Sequence, residues 1–145
     1  MRRYALAAVG LAMAVALASG CGGGSGTPAQ PVRQDISDTE LQAMMADGEP
    51  LVILDVRTPS EYESGHIPGS LNIPLAELAD RICELDPNVR TACVCSGGVR
   101  SSSAADLLVA SGFKHVYNLE DGLKSWDGPW QPGCPTCSRS IAFTG

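Results

Sequence analysis

Positive charge is scarce in this sequence. Lys and Arg number 10 against 16 Asp and Glu, and two of the ten, Arg2 and Arg3, stand in the first three residues. An acidic surface gives neither nucleic acid nor anionic lipid an electrostatic reason to bind. Internal repeats, a heptad run and a collagen-like period are all missing, which excludes solenoids and fibres. So is an apolar run long enough to cross a bilayer, which takes about 20 residues; the longest goes from Tyr4 only to Ala18. Of the 145 residues, those after the first 20 suffice for one domain whose core does not depend on disulfides.

The opening segment, 1–20, reads as an address. Arg2 and Arg3 precede a short Ala/Leu/Val-rich run, which fits the centre of a secretory signal. It closes on Leu17-Ala18-Ser19-Gly20-Cys21. Small residues before a cysteine resemble the lipobox of bacterial lipoproteins, and that resemblance implies that Cys21 becomes the lipidated N-terminus. The alternative is a plain signal peptide cut near Ala18, leaving Cys21 a free thiol. Residues 21–34, rich in Gly and Ser at their start, are expected to be a flexible tether. The expected location is therefore the cell envelope, outside the cytoplasm, with a membrane anchor.

From Ser37 onward strand and helix signals alternate. Ser37-x-x-Glu40 is a capping box opening a helix to about Asp47, and Thr58-Pro59-Ser60-Glu61 is a second one. Leu51 to Asp55, Leu71 to Ile73, Thr91 to Cys95 and His115 to Asn118 read as short buried strands. Helices are predicted from Pro74 to about Leu85, from Ser101 to Ser111, and briefly near Leu123–Trp126. Such alternation argues an α/β fold, a parallel sheet with helices on both faces. The tail beyond Trp126 shows no periodicity.

Cys95-Ser96-Gly97-Gly98-Val99-Arg100-Ser101 joins a strand end to a helix start through glycines. Ligands bind in this crevice of open α/β sheets. Helix N-terminal and loop N–H groups there form an anion site, which lowers the pKa of a cysteine thiol. Arg100 adds a fixed positive charge at the rim. The motif by itself leaves open a buried structural cysteine before a turn.

The stretch from Leu54 to Pro74 carries Asp55-Val56-Arg57, Glu61-Tyr62, Gly65-His66-Ile67-Pro68-Gly69 and Asn72-Ile73-Pro74 in order. It closely resembles the N-terminal signature of the rhodanese family. Cys95 to Ser101 resembles that family's active-site loop, and Gly112 to Leu119 with Gly122 and Trp126 its closing segment. The likeness covers about Ser37 to Trp126, with Ser70 in place of an alanine and Asp121 in place of the first glycine of a pair. It implies a three-layer fold with a central five-stranded parallel sheet, in a domain placed at 35–130. It also implies a sulfurtransferase in which Cys95 carries a persulfide between a donor such as thiosulfate and a thiol or cyanide acceptor. Ser96, Gly97, Gly98, Val99, Arg100 and Ser101 would bind the donor. Asp55, Arg57, Glu61 and His66 would be structural support, Arg57 and Glu61 through a local i,i+4 pair. No metal and no cofactor are implied, and the molecule is expected to act as a monomer.

Two rivals stand beside this reading. One is a catalytically idle module that only binds. The other is a cysteine phosphatase, but phosphatases of this fold place one residue more between Cys and Arg than the four found here. The other cysteines divide differently. Cys134 and Cys137, in the tail 131–145, suit a local disulfide or a relay that takes sulfur from Cys95. Cys93 faces the same side of its strand as Cys95, and Cys83 is expected in the core.

Overall fold

A computed structural model describes residues 32–133. The signal-like segment, Cys21, Cys134 and Cys137 lie outside the described residues. Five parallel strands form the central sheet in the order β1-β6-β5-β2-β4: β1 Val32–Ile36, β2 Leu51–Asp55, β4 Leu71–Asn72, β5 Arg90–Val94 and β6 His115–Leu119. A small antiparallel pair, β3 (Gly65–His66) and β7 (Gln131–Pro132), lies apart from it. The helices are α1 Asp38–Ala46, α2 Pro59–Glu63, α3 Leu78–Arg81 and α4 Val99–Ala110. Among the described residues, no helix is long and apolar enough to cross a membrane.

The sheet is buried on both faces because its strands alternate between two cores. Ile53, Ala92 and Val94 join Leu41 of α1 and Leu119 on one side. Leu54, Cys93 and Cys95 join Leu78 of α3 and Ala104, Ala105 and Leu108 of α4 on the other. Each fully buried Leu or Ile contributes about 1.5–3 kcal/mol by leaving water, and Leu54, Leu78, Leu108 and Ile73 are all 0% exposed.

Both capping boxes form: Ser37 and Thr58 accept from the backbone N–H of Glu40 and Glu61, whose carboxylates reach back to the cap N–H groups. Elsewhere the chain departs from expectation. β1 begins at Val32, inside the stretch read as tether, and pairs with β6 from Val32↔His115 to Ile36↔Leu119. The helix predicted from Pro74 shrinks to α3 and a 3-10 turn at Ile82–Glu84. Its would-be first turn is still tied to the sheet, with Ile73 N–H on Asp55 O and Leu75 N–H on Val56 O. The helix near Leu123 is a 3-10 turn, Gly122–Lys124. Cys83, expected in the core, is exposed on the first of these turns. At the other end of the chain, Trp130 packs over Gly65, where an added Cβ would meet the indole at 2.6 Å.

Candidate active site

Cys95 follows the last residue of β5 and is 1% exposed. The chain then turns through Ser96 and Gly97 to Gly98, which precedes α4 with φ +82°. Glycine is required there: a Cβ would fall 1.9 Å from Glu120 O. α4 starts at Val99, two residues ahead of the prediction, because the usual signal is absent. Gly98 offers no capping side chain. In its place Cys95 Sγ takes the third N–H of the helix, that of Ser101, at 3.4 Å, and lies 3.4 Å from Ser101 Oγ. The sulfur itself caps the helix.

This placement favours the charged form of the thiol. Burial alone would raise the Cys95 pKa. The Ser101 hydroxyl and the backbone N–H groups of Ser101, Gly97 and Arg100 outweigh it and hold the thiol below its ordinary value. Cys93, also in this core, has no such donors, and burial pushes it up to about 12.

Arg100 points away from the role of an unpaired rim charge. Its guanidinium makes a bidentate pair with Glu61, 2.8 Å to each oxygen, and also donates to Ser96 Oγ at 3.0 Å. Ser96 in turn donates to Glu61 Oε1 at 3.0 Å. Arg100 beside it holds the Glu61 carboxyl far below the usual carboxylate range, against the opposing effect of burial. The expected Arg57–Glu61 pair does not form. Arg57 turns instead to the fully buried Asp55, 2.6 Å away, and to Gly65 O at 2.8 Å. Removing one partner of such a pair costs about 3–5 kcal/mol, so Asp55 and Arg57 brace the turn that carries α2 and thus Glu61. His66 stacks on Tyr62 at 3.8 Å and puts Nδ1 2.9 Å from Tyr62 O. Val99 is 78% exposed at the lip of the loop. On one flank Arg100 borders a mostly apolar cleft of about 330 Å³, walled by Val56, Thr58, Pro74, Leu75 and Ala76.

One more segment packs against the site, the one that the sequence suggests as a short helix near Leu123–Trp126 and, by resemblance, as the closing segment with Gly122. Leu123 N–H donates to Cys95 O at 2.7 Å and Lys124 N–H to Ser96 O at 3.1 Å. Gly122, at φ +66°, is pressed so close that a Cβ would stand 2.6 Å from Cys95 O and from Gly97 N. Asp121, the departure from the family pattern, keeps an ordinary helical backbone, so only the second glycine of that pair is sterically needed.

The family model for the rhodanese-like domain matches residues 37–128. The chain belongs to the rhodanese-like family. Its relative YrkF of Bacillus subtilis (strain 168) is 40% identical over 94 residues, 65% of this chain and 51% of that protein, so the chain spans about half of that relative. The thiosulfate sulfurtransferase GlpE of Pseudoalteromonas translucida (strain TAC 125) is 36% identical over 86 residues, 59% of this chain and 82% of that one. Among solved structures, a rhodanese-like domain protein from Staphylococcus aureus is similar at 33% identity and TM-score 0.61, covering 66% of this chain and 92% of its own. In rhodanese terms, the loop from Cys95 to Ser101 and α2 with Glu61, 39 positions apart at their Arg100–Glu61 bond, make one site.

Proposed function

We propose that this protein is a sulfurtransferase that carries sulfane sulfur from thiosulfate or a related donor to a thiol or cyanide through a persulfide on Cys95. The carrying observation is the Cys95 sulfur seated on the first turn of α4, with its pKa lowered by Ser101 and backbone N–H groups. The Cys95 thiolate attacks the outer sulfur of thiosulfate. A new S–S bond forms, the bond to the sulfonate sulfur breaks, and sulfite leaves with the electron pair. Cyanide or a thiolate then attacks the terminal sulfur of the persulfide, and Cys95 departs as the thiolate. The lowered pKa raises the thiolate fraction of Cys95, so the loop donors take the place of a general base in readying the nucleophile. Ser101 Oγ lies 3.0 Å from Gly98 O as well as 3.4 Å from Sγ. Its one proton can turn to the sulfur when the thiol ionises, since Ser102 N–H also serves Gly98 O at 3.0 Å. The loop amides remain as fixed donors for the persulfide.

The test is intact-mass measurement after thiosulfate, with thiocyanate assayed on adding cyanide. Wild type gains one sulfur atom and releases thiocyanate, and Cys95→Ala does neither. Phosphate release from an aryl phosphate without thiocyanate would reverse the assignment, and no sulfur gain at all would leave an idle binding module.

We further propose that the domain works outside the cytoplasm, tethered by a lipid on Cys21. The support is the sequence from Arg2 to Cys21. Radiolabelled palmitate should enter the wild-type protein in a bacterial host, and Cys21→Ala should abolish the label.

A further inference from the structure

Charge around the loop is more fully paired than the sequence implies. Every described arginine is in an ion pair, Arg57 with Asp55 and Arg100 with Glu61 among them. Lys114 is held by Asn88 Oδ1 at 2.6 Å. Lys124 alone, among the described lysines and arginines, has no carboxylate or amide side-chain partner. It is also tied to the site: its N–H donates to Ser96 O, and its ammonium stands 3.9 Å from where a Cβ on Gly97 would be. Gly97 is exposed, so the charge lies over the open side of the loop. Glu120 and Asp121 precede it on the chain, yet neither pairs with it.

A doubly charged donor must approach a thiolate, a like-charge encounter. Arg100 gives little relief, because Glu61 cancels its charge at 2.8 Å. We propose that Lys124 is the specificity-determining cation of this site, drawing dianionic sulfane donors of the thiosulfate class to Cys95 while Arg100 serves the architecture of the loop. The inference rests on the sulfurtransferase reading. It adds which residue selects the donor by charge. The chemistry is unchanged: the outer sulfur passes to Cys95, and sulfite leaves with the bonding electrons.

Donor charge provides the test, with cyanide as common acceptor. Thiosulfate is a dianion; methanethiosulfonate offers the same outer sulfur on a monoanion and releases methanesulfinate. For Lys124→Ala, KM for thiosulfate should rise about fivefold at low salt with kcat held, and KM for methanethiosulfonate about twofold. Lys124→Glu should widen the gap, and Lys124→Arg should restore the wild-type ratio. In wild type, added salt should raise KM for thiosulfate more steeply than for the monoanion. Equal effects on both donors, or an unchanged KM in an active enzyme, would overturn the role of Lys124 alone. A wild type that transfers sulfur from neither donor would remove the sulfurtransferase reading and this inference together.

Discussion

The interior of β5 and its C-terminal exit hold the same chemical group under opposite conditions. Cys93 and Cys95 are two residues apart and belong to the same core. Inside the strand, the backbone around Cys93 is occupied by ladders to β2 and β6, with Leu54 and Asn118 opposite it. No N–H donor lowers this thiol; burial chiefly, with the neighbouring Cys95 charge adding to it against a small opposing effect of Arg33, pushes it up to about 12. One step past the strand, N–H groups of the loop and of the first turn of α4 have no ladder to enter, and they turn to Cys95. The opposite pKa directions thus follow from where the sheet ends: neither residue has appreciable exposed surface, but at the exit the sulfur is less deeply enclosed and meets N–H donors.

The largest disturbance of that contrast comes from moving the donors while leaving the sulfur in place. Gly122→Ala puts a methyl where Cys95 O and Gly97 N already stand, at a left-handed φ. The cost should be about 2–4 kcal/mol of stability. Displacing the loop by about 1 Å should lower sulfur transfer about 100-fold. Chemical denaturation and thiocyanate release measure the two effects. A variant that melts like wild type and turns over normally would show that the exit tolerates loose donors.

Glu61→Gln is next. It removes the charge from a latch joining α2 to Ser96 and Arg100. Because the pair is about one-third exposed, its stability effect should stay near 1 kcal/mol. We expect kcat to fall about fivefold as the loop loosens. The KM for thiosulfate should not rise, since the released guanidinium adds positive charge. Wild-type kcat in this variant would reduce the latch to decoration.

These two residues also show what a linear reading can see. Capping boxes, buried strands and the Cys95 loop were legible because each is a local pattern of propensity and periodicity. The Glu61–Arg100 pair was not. Arg57 sits four residues from Glu61 and invites a local i,i+4 pair, but α2 only begins at Pro59, so Arg57 is not on the helix at all. Asp55 and the fold claim it. The start of α4 was misplaced because its cap is a sulfur six residues from its donor, for which no capping-residue signal exists. β1 was hidden because Val32-Arg33-Gln34-Asp35-Ile36 is polar at its centre. As an edge strand paired only with β6, it needs no continuous apolar run. Gly122 was legible by resemblance, but its close approach to Cys95 and Gly97, and that of Lys124 to Ser96, join distant segments, which spacing does not encode.

Ser101→Ala tests the electrostatics of the exit with less damage. The ordinary-to-lowered displacement of the Cys95 pKa means that thiolate persists as pH falls below the usual thiol range and is lost only through the lowered value. Glu61 does not interfere, since its carboxyl stays ionised to still lower pH. Removing the Ser101 hydroxyl takes away a donor that lowers the pKa, so the acid limb of activity should move to higher pH. The rate at pH 7 should drop about two- to fivefold. An unmoved limb would assign the lowering to backbone N–H groups alone.

The smallest effect is expected at Cys93, and it is the sharpest test of the contrast. With its pKa near 12, Cys93 is neutral throughout the working range, so it neither repels the Cys95 thiolate nor competes for sulfur. Cys93→Ala should therefore leave kcat and the acid limb unchanged. It should cost only the packing of one buried sulfur, about 1 kcal/mol, read as a small drop in Tm. Iodoacetamide at neutral pH should likewise spare Cys93 in the folded protein while labelling the exposed Cys83. Should Cys93→Ala shift the limb, or lengthen the life of the Cys95 persulfide, the interior thiol would be communicating with the exit. The separation between a silent strand and a reactive end would then fail where the two cysteines are nearest.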